Sequence, residues 1–148
     1  MPFPEDFKDF LKLLNSHDVE YLLVGGYAVA YHGYIRATHD IDVWIRVTPE
    51  NVRRVVDAVT EFGFAPADLN QEMFLKEDQV IRMGVPPLRI EVLTSISGVA
   101  FEECYRKREI ADMGDYQIPI ISRDMLIKNK RASGRLKDLG DVENLGRK

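Results

Sequence analysis

Asp40 and Asp42 stand two residues apart in the alternating run His39 to Arg46, where Ile41, Val43 and Ile45 fall on one side and Asp40, Asp42 and Trp44 on the other. Side chains at that spacing on a strand point the same way and lie about 7 Å apart, at ~3.3 Å per residue. Two like charges so placed need a counter-cation; alternatively one acid is solvated and the other pairs with Arg36 or Arg46. Glu91 is the lone acid of Leu88-Arg89-Ile90-Glu91-Val92-Leu93. Ile90 and Val92 point to the opposite face, so Glu91 occupies the strand's open side, where it either joins the same chemistry or forms a cross-strand pair with Arg82 or Arg89. Gly25-Gly26 ends the apolar run Tyr21-Leu22-Leu23-Val24. The missing side chains there let backbone N–H groups approach phosphate at the start of a helix, although a glycine pair at a strand end is also ordinary turn chemistry.

Positioning these residues requires a framework, and the apolar periodicity supplies one. Phe7, Phe10, Leu11 and Leu14 predict a helix from Glu5 to Ser16. Tyr21–Val24 is too short for a helix and reads as a buried strand, followed by the glycine turn and a helix-compatible stretch from Tyr27 to His32. Thr48-Pro49-Glu50 starts a helix that runs to Phe62, with Val52, Val55, Val56, Val59 and Phe62 as its buried stripe and Gly63 as its stop. Strands are predicted at Gln79–Met83 and Leu88–Leu93, joined through Gly84-Val85-Pro86-Pro87, and at Glu109–Met113 and Tyr116–Ile121, joined by Gly114-Asp115. Ala100–Arg106 is helical. The tail divides at Ala132-Ser133-Gly134 into a helix from Arg123 to Arg131 and another from Arg135 to about Leu145, with Leu136, Leu139 and Val142 on one side of the latter. The sum is α+β, a small mixed sheet with helices packed against it.

A chain of 148 residues with 45% apolar content has enough material for one ordinary core, and the expectation is one domain over 1–148 with a basic helical tail at 123–148. The 30% charged content, without Pro or Gly enrichment, argues against disorder and fibrous repeats. No apolar run reaches the ~20 residues of a membrane span and the N-terminus lacks a leader pattern, so a soluble, cytoplasmic protein without membrane partners is expected. The single cysteine, Cys104, has no partner for a disulfide or a cysteine metal site and suits a reducing compartment. Net charge is −4, yet residues 123–148 carry eight Lys/Arg against four Asp/Glu, which leaves 12 basic and 20 acidic residues in 1–122. The basic tail suits a phosphate-bearing partner, whereas the acidic remainder is the reverse of a nucleic-acid footprint.

The order apolar-Gly-Gly, thirteen intervening residues, Asp-Ile-Asp and later Ile-Glu-Val resembles the signature of the nucleotidyltransferase superfamily that includes DNA polymerase β. A closer likeness lies in Val24-Gly25-Gly26-Tyr27-Ala28-Val29-Ala30-Tyr31-His32-Gly33 with Arg36-x-Thr38-x-Asp40-Ile41-Asp42, then Gly84-Val85-Pro86-Pro87-x-Arg89-Ile90-Glu91 and the tail Asn129-Lys130…Gly134-Arg135-x-Lys137-Asp138-x-x-Asp141. These stretches resemble bacterial nucleotidyltransferases related to abortive-infection toxins and the minimal nucleotidyltransferases of toxin–antitoxin pairs, over about residues 21 to 145. The resemblance implies transfer of an NMP from an NTP such as ATP to an acceptor hydroxyl on a protein, an RNA or a small molecule. It implies two Mg²⁺ ions, or Mn²⁺, held by Asp40, Asp42 and Glu91, since such hard ions prefer carboxylate oxygen and stabilise charge on the attacking and leaving oxygens. It further implies that Gly25, Gly26, Arg36, Thr38 and Lys130 bind the nucleotide. The chain departs from the pattern in having Tyr27 and Ala28 where a serine follows the glycines, and Glu91 where relatives commonly carry Asp.

Each supporting residue also has a plain structural reading. Arg36 can contact phosphate or pair with Asp40 or Asp42. His32 and His39 are packed or solvated imidazoles before they are metal ligands. Lys130 grips a triphosphate or belongs to the solvated Lys128/Lys130/Arg131 cluster; Lys137 and Asp141 form a site element or a surface i,i+4 pair, and Asp138 is equally ambiguous. Trp44 stacks on a base or packs under a helix. A non-catalytic nucleotide-binding module, or a toxin or antitoxin partner of the same fold, is the alternative to an enzyme.

Overall fold

The first helix, α1 (Glu5–Ser16), buries Phe7, Phe10, Leu11 and Leu14, the residues its periodicity selects. In the computed structural model, which describes residues 3–34, 38–63, 70–85 and 88–146, it is followed by strand β1 (Tyr21–Val24) and helix α2 (Gly25–Tyr31). The glycine pair is therefore not a turn ahead of a helix beginning at Tyr27. Gly25 and Gly26 form the first helical positions themselves, and Gly25 has φ +69°, a conformation that side-chain-bearing residues seldom adopt.

Strand β2 (Asp40–Ile45) lays Ile41, Val43 and Ile45 into the core. Helix α3 (Pro49–Phe62) begins where Thr48 accepts a hydrogen bond from the Asn51 amide and Pro49 fits the first turn, and it stops at Gly63 in the left-handed region. Its buried face is Asn51, Val52, Val55, Ala58 and Val59, with Val56 and Phe62 packed at the margin. The polar Asn51 belongs there because its amide donates to the carbonyls of Glu20 and Arg46 and accepts from the Glu20 amide at 2.8 Å, tying α3 to the entry of β1 and the exit of β2. A short helix that periodicity did not reveal, α4 (Gln71–Leu75), is capped by Asn70 and buries Phe74.

Strands β3 (Val80–Val85) and β4 (Leu88–Leu93) pair antiparallel; helix α5 (Phe101–Arg106) leads to the antiparallel pair β5 (Glu109–Asp112) and β6 (Gln117–Ile120). The six strands make one mixed sheet in the order β3-β4-β2-β1-β6-β5. Helices α6 (Arg123–Ser133) and α7 (Leu136–Gly146) close the chain and pack on each other. The architecture is the α+β arrangement that the patterning implies, a mixed sheet with helices against it. No helix among the described residues is long and apolar enough to cross a membrane.

The tail corrects one expectation directly. Leu136 is 88% exposed and Leu139 44%, while Asp138, Asp141 and Leu145 are the buried residues of α7. The leucine stripe faces outward because the inner side of this helix is occupied by an ion network, described next.

Candidate active site

Register brings the sequence-selected acids together. Strand β2 lies between β1 and β4, and one row across the sheet reads Val24, Asp42, Glu91 and Arg82. Asp42 and Glu91 are direct partners on parallel neighbours, strands separated by ~4.8 Å, and their side chains share a hydrogen bond. Asp40 sits one pleat away, opposite Arg89. All three acids line a cleft of about 600 Å³ that also takes in Gly25, Gly26, Thr38 and Lys130. Arg36 lies outside the described residues.

Room for Asp42 depends on Gly25. A Cβ at position 25 would fall 2.0 Å from the Asp42 Oδ2 atom, so this glycine is required by the carboxylate it faces as well as by its φ. Thr38 donates its hydroxyl to the Asp40 carbonyl at 3.2 Å and so braces the start of β2. Burial, then the hydrogen bond and charge of Glu91, then Asp40, push the Asp42 carboxyl up to about 7, and Lys130 pulls weakly the other way. Without an ion the Asp42 carboxyl thus keeps its proton up to near neutral pH.

Of the pairings foreseen as plain alternatives, Arg82 with Glu91 is present, while Arg89 takes Asp40 in place of Glu91. Arg82 contacts Glu91 at 3.1 Å and Arg89 contacts Asp40 at 3.4 Å. Arg46, by contrast, stays away from the aspartates; it pairs with Glu20 and Glu102 and stacks over Phe101 and Tyr105. Among the described residues no three His, Cys, Asp or Glu side chains stand gathered to hold an ion as they are. Asp40 is held instead by Arg89, in a half-exposed pair of the kind that contributes ~0–1 kcal/mol. The all-oxygen donor set of Asp40, Asp42 and Glu91 is of the kind that suits a hard divalent cation.

Lys130 is neither a solvated surface lysine nor an open hand toward the cleft. It is 5% exposed, and its Nζ lies 2.9 Å from Asp138 Oδ1 and 3.3 Å from Asp141 Oδ2. Asp138, without solvent exposure, also accepts from Ser133 Oγ at 2.5 Å and Arg135 Nε at 2.6 Å. Burial alone would raise its pKa, but these hydrogen bonds from Arg135, Ser133 and Lys130 hold the carboxyl far below the usual range. Asp141 is accordingly the buried partner of Lys130 and not half of a surface pair with Lys137. Hydropathy patterning misses this corner because it follows the leucines; the spacing of one lysine and two acids across the Gly134 break is the signal that finds it.

Other singled-out residues take their structural roles. Trp44 is buried edge-on against Phe101, 5.1 Å between ring centroids. His32 is within 2.8 Å of the Ile121 carbonyl, whereas His39 lines the cleft. Cys104 is buried, and burial raises its thiol to about 11. The loop after β4 adds Ser95, Ile96 and Ser97 to the cleft wall and is fastened to α6 by Asn129, which donates to the Ser97 carbonyl at 3.0 Å.

Two adjacent inner strands carrying paired acids, facing a helical corner that holds Lys130 and Arg135, are the arrangement of a nucleotidyltransferase-like protein, and solved structures of that class share the fold. The lincosamide antibiotic adenylyltransferase LnuA, solved with lincomycin bound, superposes with TM-score 0.58 at 16% identity over 97% of this chain and 96% of its own. A nucleotidyltransferase-class protein from Thermotoga maritima gives TM-score 0.59 at 15% identity over 95% and 88%, and an antigenic nucleotidyltransferase-like protein from Paracoccidioides brasiliensis gives 0.55 at 16% over 95% and 74%. Among curated proteins no sequence matches. Residues 5–146 match the family described as nucleotidyltransferase of unknown function (DUF6036), and the chain belongs to that family. Proteins with this fold generally use a nucleoside triphosphate and a divalent metal.

Proposed function

We propose that this protein is an Mg²⁺-dependent nucleotidyltransferase that moves an NMP from an NTP to an acceptor hydroxyl. The observation that carries the reading is the Asp42–Glu91 pair, beside Asp40 and within one cleft with Lys130. Asp40, Asp42 and Glu91 would hold Mg²⁺ or Mn²⁺, and such an ion when bound neutralises charge building on the phosphate oxygens. In the transfer, the acceptor oxygen forms a bond to the α-phosphorus while the bond from that phosphorus to the bridging oxygen breaks, and pyrophosphate leaves. Glu91 receives the proton of the acceptor hydroxyl. Gly25 and Gly26 keep the strand end bare for the triphosphate, Thr38 braces Asp40, and Lys130 supplies positive charge to the phosphates. Arg36 joins them as a phosphate contact.

The acidic balance of residues 1–122 speaks against a nucleic-acid track, and the likeness to LnuA, an antibiotic adenylyltransferase, favours a small hydroxylated molecule over RNA or a protein side chain. Cytoplasmic placement and a toxin–antitoxin setting belong to the same proposal.

Calorimetry with ATP tests it, with and without Mg²⁺. Binding should require the ion and weaken at least 100-fold in Asp42→Asn, which removes charge and conserves volume. Unchanged affinity in that variant removes the metal role. Labelled NTPs incubated with the protein and a lysate then separate transfer from mere binding, since a non-catalytic module binds ATP and labels nothing.

A further inference from the structure

Helix α7 buries acids and exposes leucines, a reversal that apolar burial does not favour. Leu136 and Leu139 remain outside while Asp138 and Asp141 take the inner positions. A buried ion pair is a poor source of net stability compared with packed apolar side chains, so what this arrangement secures is geometry. The geometry is specific. Asp138 gathers three donors from one chain reversal: Lys130 near the end of α6, Ser133 at its last turn, and Arg135 just past Gly134. All three line the same cleft as Asp42 and Glu91.

The single O–H of Ser133 is spent on Asp138, but Lys130 and Arg135 keep N–H groups to spare. A lysine ammonium has three N–H groups, and Asp138 and Asp141 account for two. The positive charge of Lys130 is close enough to act on Asp42 across the cleft. Arg135 gives its Nε to Asp138, and its side chain is 70% exposed, which leaves its terminal amino groups directed outward.

We infer that Asp138 is a positioning residue for phosphate recognition, a buried anion that gathers Lys130, Ser133 and Arg135 into one rigid corner against which the triphosphate is read. The inference rests on the nucleotide-binding reading above. It makes a counter-intuitive forecast: Asp138→Asn adds one positive charge to the wall, so attraction alone would tighten ATP binding and widen the preference for ATP over AMP. Positioning demands the opposite, because the amide has one acceptor oxygen where the carboxylate has two, so Lys130 on Oδ1 and Arg135 on Oδ2 cannot both keep their bonds.

The experiment is calorimetric titration of the full chain with Mg²⁺ and either ATP or AMP, at fixed salt. In Asp138→Asn the ATP-to-AMP affinity ratio should fall at least tenfold with AMP affinity within twofold of the parent, and Asp138→Glu should recover part of the ratio. Leu145→Ala, which loosens the packing of α7 without touching Lys130, should lower the melting temperature and keep the ratio. A ratio that is unchanged or larger in Asp138→Asn overturns the inference, as does a loss shared equally by Leu145→Ala. Should Asp138→Asn fail to fold, Ser133→Ala and Arg135→Ala carry the test: each should lower the ratio several-fold, and two unchanged ratios reject the positioning role. A parent protein that shows no preference for ATP over AMP with Mg²⁺ brings down the nucleotide reading itself, a result distinct from a parent that discriminates and variants that discriminate equally well.

Discussion

Asp42 and Asp138 border the same cleft, yet the fold drives their acidities apart. Asp42 is half-buried among Glu91 and Asp40 on the sheet, where burial and like charge raise its pKa to about 7; Asp138 is fully buried but ringed by Arg135, Ser133 and Lys130, which keep it ionised far below the ordinary carboxylate range. The contrast separates two uses of an aspartate. In the helical corner Lys130 and Arg135 balance Asp138 and Asp141, whereas in the sheet cluster three acids face two arginines, Arg82 and Arg89, and carry one negative charge in excess once Asp42 ionises. A site open to a cation sits beside a wall that needs none.

The largest test of that contrast removes the cation of the closed corner. Lys130→Ala leaves Asp138 and Asp141 buried without their shared partner and should cost about 3–5 kcal/mol in chemical denaturation, the usual outcome of breaking a buried pair from one side. Lys128→Ala, on the exposed side of α6, should change stability by under about 0.5 kcal/mol. Equal losses in the two variants would make the corner an ordinary surface cluster.

The open cluster should respond to pH with a definite sign. Because the folded-state pKa of Asp42 lies above the unfolded value of 3.8, the fold retains a proton that the unfolded chain has released. Stability of the ion-free protein should therefore decline as pH rises from about 4 to 7, by at most about 4 kcal/mol. Asp42→Asn should flatten that decline in urea titrations, and added Mg²⁺ should raise the parent's melting temperature more at pH 8 than at pH 5. Asp138 works in the other direction, its contribution being lost only in strong acid, so the two slopes are separable. An ion-free protein equally stable at pH 5 and pH 8 counts against the raised pKa of Asp42.

A subtler comparison uses two glycines. Gly25→Ala forces a methyl group into the Asp42 carboxylate at a positive φ and should cost about 1–3 kcal/mol along with metal-dependent ATP binding. Gly140→Ala, inside α7 with open space around it, should stabilise by up to about 1 kcal/mol. Thermal melts of both variants check the pair, and a stabilising Gly25→Ala would show that Asp42 has somewhere else to go.

The smallest effect belongs to Arg82→Ala, which breaks a solvent-screened pair with Glu91 and should cost under about 1 kcal/mol. Any sizeable loss would mean that the sheet cluster is less open than Asp42 implies.

Period and spacing alone determined much of this protein. The alternation through Asp40-Ile41-Asp42-Val43 sets which side chains share a face, the 3.6-residue recurrence selects the residues that α1 buries and Val52, Val55 and Val59 of α3 but not Asn51 and Ala58, and Gly63 and Gly114 mark where the backbone turns. All of these are local properties, legible because each depends on residues within a turn or two. The order β3-β4-β2-β1-β6-β5 is not local, and only it sets Glu91 directly beside Asp42. The inward turn of Asp138 and Asp141 is the same kind of decision. Patterning favoured the leucines of α7, but Lys130 on α6 offered the acids a buried charge to meet, and a helix exposes its apolar face when its partner helix supplies a stronger reason to turn. Tertiary structure decided those points because the energy of a buried charge depends on every neighbour that the fold brings to it, and sequence distance carries no record of them.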